Sequence, residues 1–272
     1  MSSSQSPLAA PLPWDLVARE YAEVTAPFFE NYAAAALDRT RVSAASRILD
    51  VACGPGTLTL LAARRGCRVT AIDFAASMID ELRARAGNSA ASIEMVVADG
   101  QALPLGDSRF DAAFSMFGLM FFPNRVQGFR EMHRVLVPGG VAAISSWQPM
   151  DRFPMLGDVF AALRELLPDL PFSQGKAPLG EPSEIIDEMN AAGFEDVSVE
   201  EISASVESPT LDAAWENLHR GSAPFALLRR NIGDAAWQNV ERGILESLRK
   251  KYGSGPQTLT MTANLGIGRK LA

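Results

Sequence analysis

The chain contains few residues of the kinds that build metal centres, disulfide frameworks or nucleic-acid grooves. Its 272 residues include only two cysteines and two histidines. Cys53 and Cys67 have no metal-ligand spacing and form no disulfide framework, so we predict no metal and expect a reduced, cytoplasmic setting. The 25 Lys and Arg residues against 32 Asp and Glu give a formal charge of -7. The basic residues form no cluster, which argues against a nucleic-acid partner.

Long apolar runs and a basic leader are also missing. Residues 1–13 are rich in Ser, Pro and Ala, so we expect a disordered start and no signal peptide. No apolar run approaches the roughly 18 residues that a membrane span requires. The hydrophobic content of 47% suits one enlarged α/β domain, or a core with a cap.

One stretch, residues 47–57, organises the rest of the chain. An apolar run over Ile48–Val51 breaks at Gly54-Pro55-Gly56, and a helical pattern follows over Leu58–Arg65. This order predicts a strand, a tight loop and a helix. Glycines leave room for a ligand beside the backbone, and the amides of the following helix point towards that place. The pattern therefore predicts a cofactor loop, with an ordinary βα turn as the alternative.

Two further predicted strands end in acidic residues. The run Arg68–Ile72 is followed by Asp73, which lies 73 − 56 = 17 positions after Gly56 and so allows one crossing helix and a parallel strand. A carboxylate at such a strand end can accept hydrogen bonds from both hydroxyls of a ribose. The run Ile93–Ala98 ends at Asp99, which has the alternative of capping a helix or turn.

The residues Asp50, Cys53, Gly54 and Gly56 resemble the first motif of class I S-adenosylmethionine-dependent methyltransferases, which reads roughly Asp-Leu-Gly-Cys-Gly-x-Gly. The resemblance is to the small-molecule branch, the type 11 and ubiquinone-menaquinone C-methyltransferase-like enzymes. The chain departs from the motif at Ala52, whose small methyl group we expect to leave binding intact. The resemblance covers about residues 48–146 and is topological elsewhere.

The resemblance implies an α/β fold: a Rossmann-like, doubly wound sheet of seven strands. Strands 6 and 7 would form a final antiparallel pair, with the last strand between the fifth and sixth. A helical N-terminal cap and a C-terminal lid insertion would complete it. We expect residues 1–45 to form a tail and the cap, residues 46–150 the cofactor-binding core, and residues 151–272 lid segments plus the last two strands of one domain.

The resemblance also implies the cofactor, S-adenosyl-L-methionine, with S-adenosyl-L-homocysteine as the product. Asp73 would hold the ribose, Asp99 the adenine amino group, and backbone carbonyls at Ser115 or Met116 the methionine amino group, while Tyr21 would close the methionine end. Packing in the core is the open alternative for Tyr21 and Met78. The full expected set is Tyr21, Asp50, Ala52, Cys53, Gly54, Gly56, Asp73, Phe74, Met78, Asp99, Gly100, Gln101, Ser115 and Met116.

The implied function is methyl transfer by in-line displacement to a small, largely apolar metabolite, by C- or O-methylation. Proximity and water exclusion would supply most of the catalysis, so no catalytic triad is required. His219 is the candidate general base, with a surface histidine as the alternative. The expected partner is a small-molecule acceptor, without nucleic acid or membrane span, in a monomer or homodimer.

Two other functions remain open at this point. One is a methyltransferase-fold protein that binds the cofactor but has no turnover. The other is an NAD-dependent oxidoreductase, whose Gly-x-Gly-x-x-Gly motif requires a glycine where this chain has Thr59. The acceptor itself cannot be read from the core, because function depends on the site and not on the fold.

Overall fold

A seven-stranded sheet organises the molecule. The computed structural model describes residues 6–169 and 177–271. The strands are β1 (Arg47–Val51), β2 (Arg68–Asp73), β3 (Ile93–Val97), β4 (Phe110–Met116), β5 (Leu136–Trp147), β6 (Glu195–Ser208) and β7 (Gln257–Arg269). They lie in the order β3-β2-β1-β4-β5-β7-β6. Strands β1 to β5 are parallel, and β7 is antiparallel to both β5 and β6. The predicted Rossmann-like sheet with its final antiparallel pair is confirmed.

Helices cover both faces of this sheet. They are α1 (Leu12–Asp15), α2 (Ala18–Glu20), α3 (Ala26–Thr40), α4 (Thr57–Arg64), α5 (Ala76–Ala86), α6 (Arg125–Val135), α7 (Pro154–Leu166), α8 (Pro182–Ala191), α9 (Leu211–His219), α10 (Ala223–Ile232) and α11 (Asp234–Tyr252). Because both faces are covered, β1 and β2 are nearly continuous apolar runs. Within the described ranges, no helix has the length and apolar character needed to cross a membrane.

The core lies in two layers, one on each side of the sheet. Helices α3, α4 and α5 bury Leu37, Leu58 and Leu82 against one face. Helices α6 and α8 bury Phe129 and Ile185 against the other. The strand order reverses between β1 and β4, so a crevice opens beyond the carboxyl ends of these strands, where α/β proteins bind ligands.

The N-terminal segment is more ordered than the sequence indicates. Residues 1–5 lie outside the described residues, but residues 7–9 form a 3₁₀ turn and α1 follows directly. The expectation of disorder through residue 13 is therefore wrong from residue 7 onward. The Trp14 indole anchors the turn by donating to the Leu8 carbonyl at 2.9 Å. We call residues 7–25 the N-terminal strap. Its last residues, Tyr21–Thr25, form a π-helical turn that leads directly into α3.

The helical insertion between β6 and β7 has the predicted position but a different neighbour. Helices α9, α10 and α11 separate near Gly221 and Gly233, as the sequence indicates. They form their own apolar cluster with α7, built around Trp215 and Trp237. The insertion contacts the strap, where Ala223 packs with Val17. It therefore supports the cap from outside rather than forming a lid directly over the crevice.

Strand β5 begins at Leu136, and the residue that follows β7 pairs with its first turn at Gly139 and Gly140. The Gly139 amide donates to the Lys270 carbonyl at 2.7 Å, and the Lys270 amide donates to Gly140 at 2.9 Å. The Lys270 ammonium donates to three carbonyls at the end of α6, those of His133, Arg134 and Leu136, at 3.0, 3.3 and 2.8 Å. One side chain thus caps α6 and holds the end of β7 against β5.

Replacing this cap should destabilise the fold measurably. Lys270→Met keeps the apolar stem and removes a cation bonded to a helix C-terminus, so we expect a loss of about 1–2 kcal/mol of unfolding free energy. Equilibrium unfolding in urea measures it. Lys250→Met, at an exposed position of α11, is the matched control and should change stability by less than about 0.5 kcal/mol. Equal stabilities for the two variants would contradict the capping role.

Candidate functional site

The loop after β1 adopts a left-handed backbone at three of its residues. The φ angles of Ala52, Gly54 and Gly56 are +54°, +55° and +85°. A Cβ at Gly56 would lie 2.2 Å from the Leu82 Cδ1, so glycine allows α5 to approach the loop. A Cβ at Gly54 would meet nothing within 4 Å, because this residue faces open space. The loop therefore presents bare backbone to a cavity on one side and packs tightly on the other.

Ala52, where the family motif has glycine, has a compensating glycine opposite it. A Cβ at Gly118 would lie 2.4 Å from the Ala52 Cβ and 2.9 Å from the Ser115 Oγ. Gly118 lies just after β4, so the extra methyl group at position 52 fits only because position 118 has none. The packing at Gly118 gives the physical reason why the loop has room for an alanine, and the expectation that Ala52 leaves binding intact stays a prediction.

Asp50 is buried beneath the loop and caps the helix that follows it. Its Oδ2 accepts hydrogen bonds from the Thr59 amide at 3.1 Å and from the Thr59 hydroxyl at 2.6 Å. Burial raises the pKa of the Asp50 carboxyl to about 7, the Thr59 hydrogen bonds oppose this, and the Asp73 charge adds to it. Thr59 has a role that the sequence comparison with dinucleotide motifs did not reveal: it satisfies a buried carboxylate.

Asp73, at the end of β2, connects the loop to the next helix. Its two carboxylate oxygens accept from the Gly54 amide at 2.8 Å and from the Ala75 amide at 2.9 Å. Burial raises the pKa of Asp73 to about 6, against the opposing effect of these hydrogen bonds. The carboxylate also lines the main cavity, so it is both a structural tie and a group that a ligand can reach.

The main cavity lies at the carboxyl ends of β1 to β4, and the space between its walls is about 730 Å³, part of which is open to solvent. It brings together ten of the fourteen residues expected from the sequence: Tyr21, Ala52, Gly54, Asp73, Phe74, Met78, Asp99, Gly100, Gln101 and Met116. Its remaining wall is mostly apolar and aromatic: Ala9, Trp14, Ala98, Phe117, Gly118, Phe121, Phe122 and Pro123. Such a cavity suits a mostly apolar ligand held by a few placed polar groups.

A smaller cavity of about 370 Å³ adjoins the main one. The two share Tyr21, Ala52, Gly54, Met116 and Phe117 as wall. The smaller cavity adds two more expected residues, Asp50 and Cys53. Burial raises the pKa of the Cys53 thiol well above its usual range, and burial and the Asp73 charge raise that of the Tyr21 phenol. Both groups therefore stay protonated at neutral pH.

Asp99 accepts hydrogen bonds within a turn, which was the alternative role expected for it, and it also faces the main cavity. Its Oδ1 accepts from the Gln101 amide at 2.8 Å, and the Gln101 side-chain amide lies 3.2 Å from the same oxygen. The side chain is exposed at the cavity wall. Because a carboxylate has about four acceptor positions, the turn leaves capacity for a ligand donor.

Two expected residues do not line either cavity. Gly56 faces Leu82 and shapes the loop from behind. Ser115 is fully buried beneath Gly118, and its Oγ makes no hydrogen bond within the described part of the chain. Strand alternation directs the Ser115 side chain to the face of the sheet opposite to that of Met116, which does line the cavities. The expected contact of Ser115 was through its backbone carbonyl and stays a prediction.

His219 lies at a third cavity, on the outer side of the N-terminal strap. This outer cavity is lined by Val17 and Glu20 of the strap and by residues of α9, α10 and α11. The His219 Nδ1 lies 2.9 Å from the Trp215 carbonyl, which can only accept, so this nitrogen carries the proton. The ring stacks on Trp215 at 4.6 Å. Because the strap separates His219 from the main cavity, the candidate general base of the sequence analysis has no access to it.

Ala9 and Trp14 line the main cavity but do not belong to the expected set. Trp14 meets Phe121 edge-to-face at 4.9 Å and closes one side of the cavity. The signal for Trp14 was weak, because an aromatic residue at helical spacing fits any amphipathic helix. Gly118 and Phe121 belong to the apolar segment after β4, which the resemblance implies borders the acceptor, with buried packing as the alternative.

Comparisons with known proteins agree with this geometry. Residues 48–140 match the family described as a methyltransferase domain. The chain is 33% identical over 120 residues to a malonyl-(acyl-carrier protein) O-methyltransferase of Enterobacter lignolyticus, which covers 44% of this chain and 46% of that enzyme. The chain thus spans less than half the length of the curated relatives it matches.

Solved structures share the fold over a larger part of the chain. The cyclase SpnF superposes with a TM-score of 0.63 at 17% identity, covering 98% of this chain and 97% of that one. A Haemonchus contortus phosphoethanolamine N-methyltransferase 2, in complex with phosphomonomethylethanolamine and S-adenosylhomocysteine, superposes with a TM-score of 0.56 at 17% identity, covering 95% and 59%. At such identities the likeness shows the fold alone.

The contact between positions 52 and 118 can be tested by a double-mutant cycle. Gly118→Ala places two methyl groups in the space of one, so we expect a loss of about 1–3 kcal/mol of unfolding free energy. Ala52→Gly removes the contact between the two methyl groups and a left-handed alanine, but leaves the approach of the new Cβ to the Ser115 Oγ at 2.9 Å. The double variant should therefore recover part of that loss. Urea unfolding of all four proteins measures the coupling. Additive effects would show that the two positions do not touch.

The raised pKa values make cofactor-free stability depend on pH in a defined direction. A folded carboxyl with a pKa above its unfolded value near 3.8 holds a proton that the unfolded chain releases. Its contribution therefore falls as pH rises from about 4 to 7. Asp50→Asn keeps an oxygen for Thr59 and cannot ionise, so its stability relative to wild type should rise as pH rises from about 4 to 7. Between pH 5 and pH 8 this advantage should grow by on the order of 2–3 kcal/mol. Urea unfolding at both pH values measures this difference, and a pH-independent difference would contradict it.

Proposed function

With residues 48–140 established as a class I S-adenosylmethionine-dependent methyltransferase domain, we propose that the chain transfers a methyl group from S-adenosyl-L-methionine to a small, largely apolar acceptor. The acceptor atom is carbon or oxygen. One observation carries the proposal: the Asp73 carboxylate, at the end of β2, faces the main cavity beside the bare backbone of Gly54. An acid at this strand end suits the two hydroxyls of a ribose.

The residues present fit this cofactor. Gly54 leaves open space exactly where a Cβ would otherwise project, and the two adjoining cavities together offer room for an extended molecule. In our proposal Asp73 holds the ribose, with Phe74 and Met78 beside the adenine and Asp99 at its amino group. Gly100 has no room for a side chain, since a Cβ there would lie 2.6 Å from Phe122. The absence of a side chain lets the Gly100 backbone lie at the cavity wall.

The smaller cavity would take the methionine end. Both Thr59 hydrogen bonds use Oδ2 of Asp50, which leaves Oδ1 for an ammonium group at this wall of the cavity. Tyr21 separates the two cavities and lines both. A phenol that stays protonated can donate to a carboxylate there. Backbone carbonyls near Met116 would complete the contacts to the amino group.

The bound cofactor supplies an electrophilic methyl group on a sulfonium. The chain itself positions the acceptor and excludes water. Trp14, Tyr21 and Phe121 close the cavity against water. Holding the acceptor in line with the methyl–sulfur bond lowers the barrier by on the order of 7–11 kcal/mol. The titratable groups at the two cavities are Asp50, Asp73, Asp99, Cys53 and Tyr21. All of them have structural or cofactor roles in this proposal, which therefore assigns no general base among the residues that the structure describes.

An apolar acceptor agrees with the aromatic side of the smaller cavity. Phe29 and Phe117 line it and stack on each other at 4.8 Å between ring centroids. Phe117 also stacks on Trp147 at 4.2 Å. Phe117 has a φ angle of +60°, a costly conformation for an aromatic residue that is often found at functional sites. These rings offer dispersion contacts and few hydrogen bonds to an acceptor.

A cofactor-binding protein without methyl transfer remains the second candidate. It is favoured by the cyclase SpnF, which has this fold over nearly the whole chain, because one fold can carry different chemistry. A nicotinamide dinucleotide is less well supported, since β7 is antiparallel and the buried Thr59 replaces the glycine that such motifs place against the strand. A methyl-transfer assay on extracts and phenolic compounds separates turnover from binding alone.

Replacing Asp73 tests the proposal directly. Asp73→Asn keeps one acceptor oxygen for the loop and loses the second, so we expect tenfold or greater weakening of both S-adenosylmethionine and S-adenosylhomocysteine binding by calorimetry. The control is Asp80→Asn, at an exposed position of the helix α5 that follows Asp73, which should bind as wild type does. Wild-type protein that binds NAD but neither sulfur nucleoside would reject the proposal.

A further inference from the structure

The helix that follows Asp73 receives its N-terminal cap from a distant part of the chain. The residue before α5, Ala75, offers no side-chain cap. Instead the Asp15 Oδ1 in α1 accepts from the Ser77 amide at 3.0 Å, across 62 positions of sequence. A carboxylate at a helix N-terminus accepts an orphan amide and interacts favourably with the helix dipole. This is a tertiary contact made by the N-terminal strap.

The strap that carries Asp15 forms one side of the main cavity. Ala9, Trp14 and Tyr21 all line that cavity, and they lie on either side of Asp15 in the sequence. Val17 and Ala18 pack with Ala75 and Met78 at the start of α5. Cavity wall and helix start are therefore joined by a small apolar contact and one charged hydrogen bond.

A second attachment holds the other end of the strap. Gly221, between α9 and α10, lies so close to the π-helical turn that a Cβ there would be 2.1 Å from the Thr25 Oγ1 and 3.2 Å from the Tyr21 Cα. Arg220 pairs with Glu23 at 2.8 Å. The C-terminal end of the strap is thus fixed by backbone contact, whereas its Trp14 end depends on Asp15.

We propose that Asp15 is a positioning residue that latches the N-terminal strap over the cofactor cavity by capping α5. The proposal rests on the proposed function for the identity of the ligand. It assigns no contact between Asp15 and the cofactor: Asp15 acts through Trp14 and Tyr21, which its hydrogen bond holds in the cavity wall. Release of the latch would open the adenosine side and let the cofactor leave.

The Asp15 carboxylate also affects Asp73, the proposed ribose-binding group, through its charge. The groups that face Asp73 are Asp15 from α1, Asp50 from β1, the Cys53 thiol and the Tyr21 phenol. Asp15 contributes to the raised pKa of Asp73, after the larger effect of burial. Removing its charge should lower that pKa, so the pH below which cofactor affinity falls should move downward.

Two substitutions separate the hydrogen bond from the charge. Asp15→Ala removes both, and Asp15→Asn keeps an acceptor oxygen but removes the charge. Glu20→Ala is the matched control, because Glu20 lies on the same strap and faces the outer cavity. The measurements are amide hydrogen exchange of residues 12–21 in the cofactor-free protein, the dissociation rate of S-adenosylmethionine, and its affinity from pH 5 to 8.

We expect Asp15→Ala to speed both strap exchange and cofactor dissociation by about twofold to thirtyfold, the range that loss of one N-cap produces. Asp15→Asn should retain most of the latch, and both Asp15 variants should shift the pH midpoint of binding downward. Glu20→Ala should match wild type in all three measurements. An unchanged dissociation rate in Asp15→Ala would overturn the latch.

The failure of the proposed function would look different. If the wild-type protein binds no S-adenosylmethionine, the methyltransferase proposal fails, and the latch is still decided by hydrogen exchange. Faster exchange of residues 12–21 in Asp15→Ala, with no change in Glu20→Ala, would then support a latch on a cavity with another ligand. Equal exchange in all variants would overturn it.

Discussion

The Asp73 carboxylate is the constraint on which the rest of the site depends. It is buried at the carboxyl end of β2 and accepts from the Gly54 amide of the cofactor loop and from the Ala75 amide at the start of α5. A buried carboxylate requires such partners because desolvation is costly. Its two hydrogen bonds therefore fix the loop, the strand end and the helix start relative to one another, and the same oxygens face the cavity.

Around Asp73, the site is formed by close packing between the loops and helices rather than by additional polar groups. Gly56 lets Leu82 reach the loop, and Gly118 leaves room for the methyl group of Ala52. Asp50 and Thr59 satisfy each other beneath the loop. The result is a preorganised backbone with open space at Gly54. A reaction that needs mainly alignment and a dry environment suits such a site.

The N-terminal strap links this site to the helical insertion between β6 and β7. It covers the cavity with Trp14 and Tyr21, reaches α5 through Asp15, and is held from outside by Gly221 and Arg220 of the helical insertion. The insertion, which the sequence suggests as a lid, thus acts on the cavity only through the strap. This arrangement also explains why His219, at the outer cavity, has no place in the chemistry at the inner one.

The sequence by itself determined the sheet, its loop and most of the cavity, because these depend on local patterns: apolar runs, glycines and acids at strand ends. Ten of the fourteen expected residues line the main cavity. Only the tertiary structure decided which way Ser115 points, that Gly118 compensates for Ala52, that Asp15 caps a helix 62 positions away, and that the strap separates His219 from the site. These depend on contacts between residues far apart in sequence, whose geometry is set by packing and leaves no periodic signal along the chain.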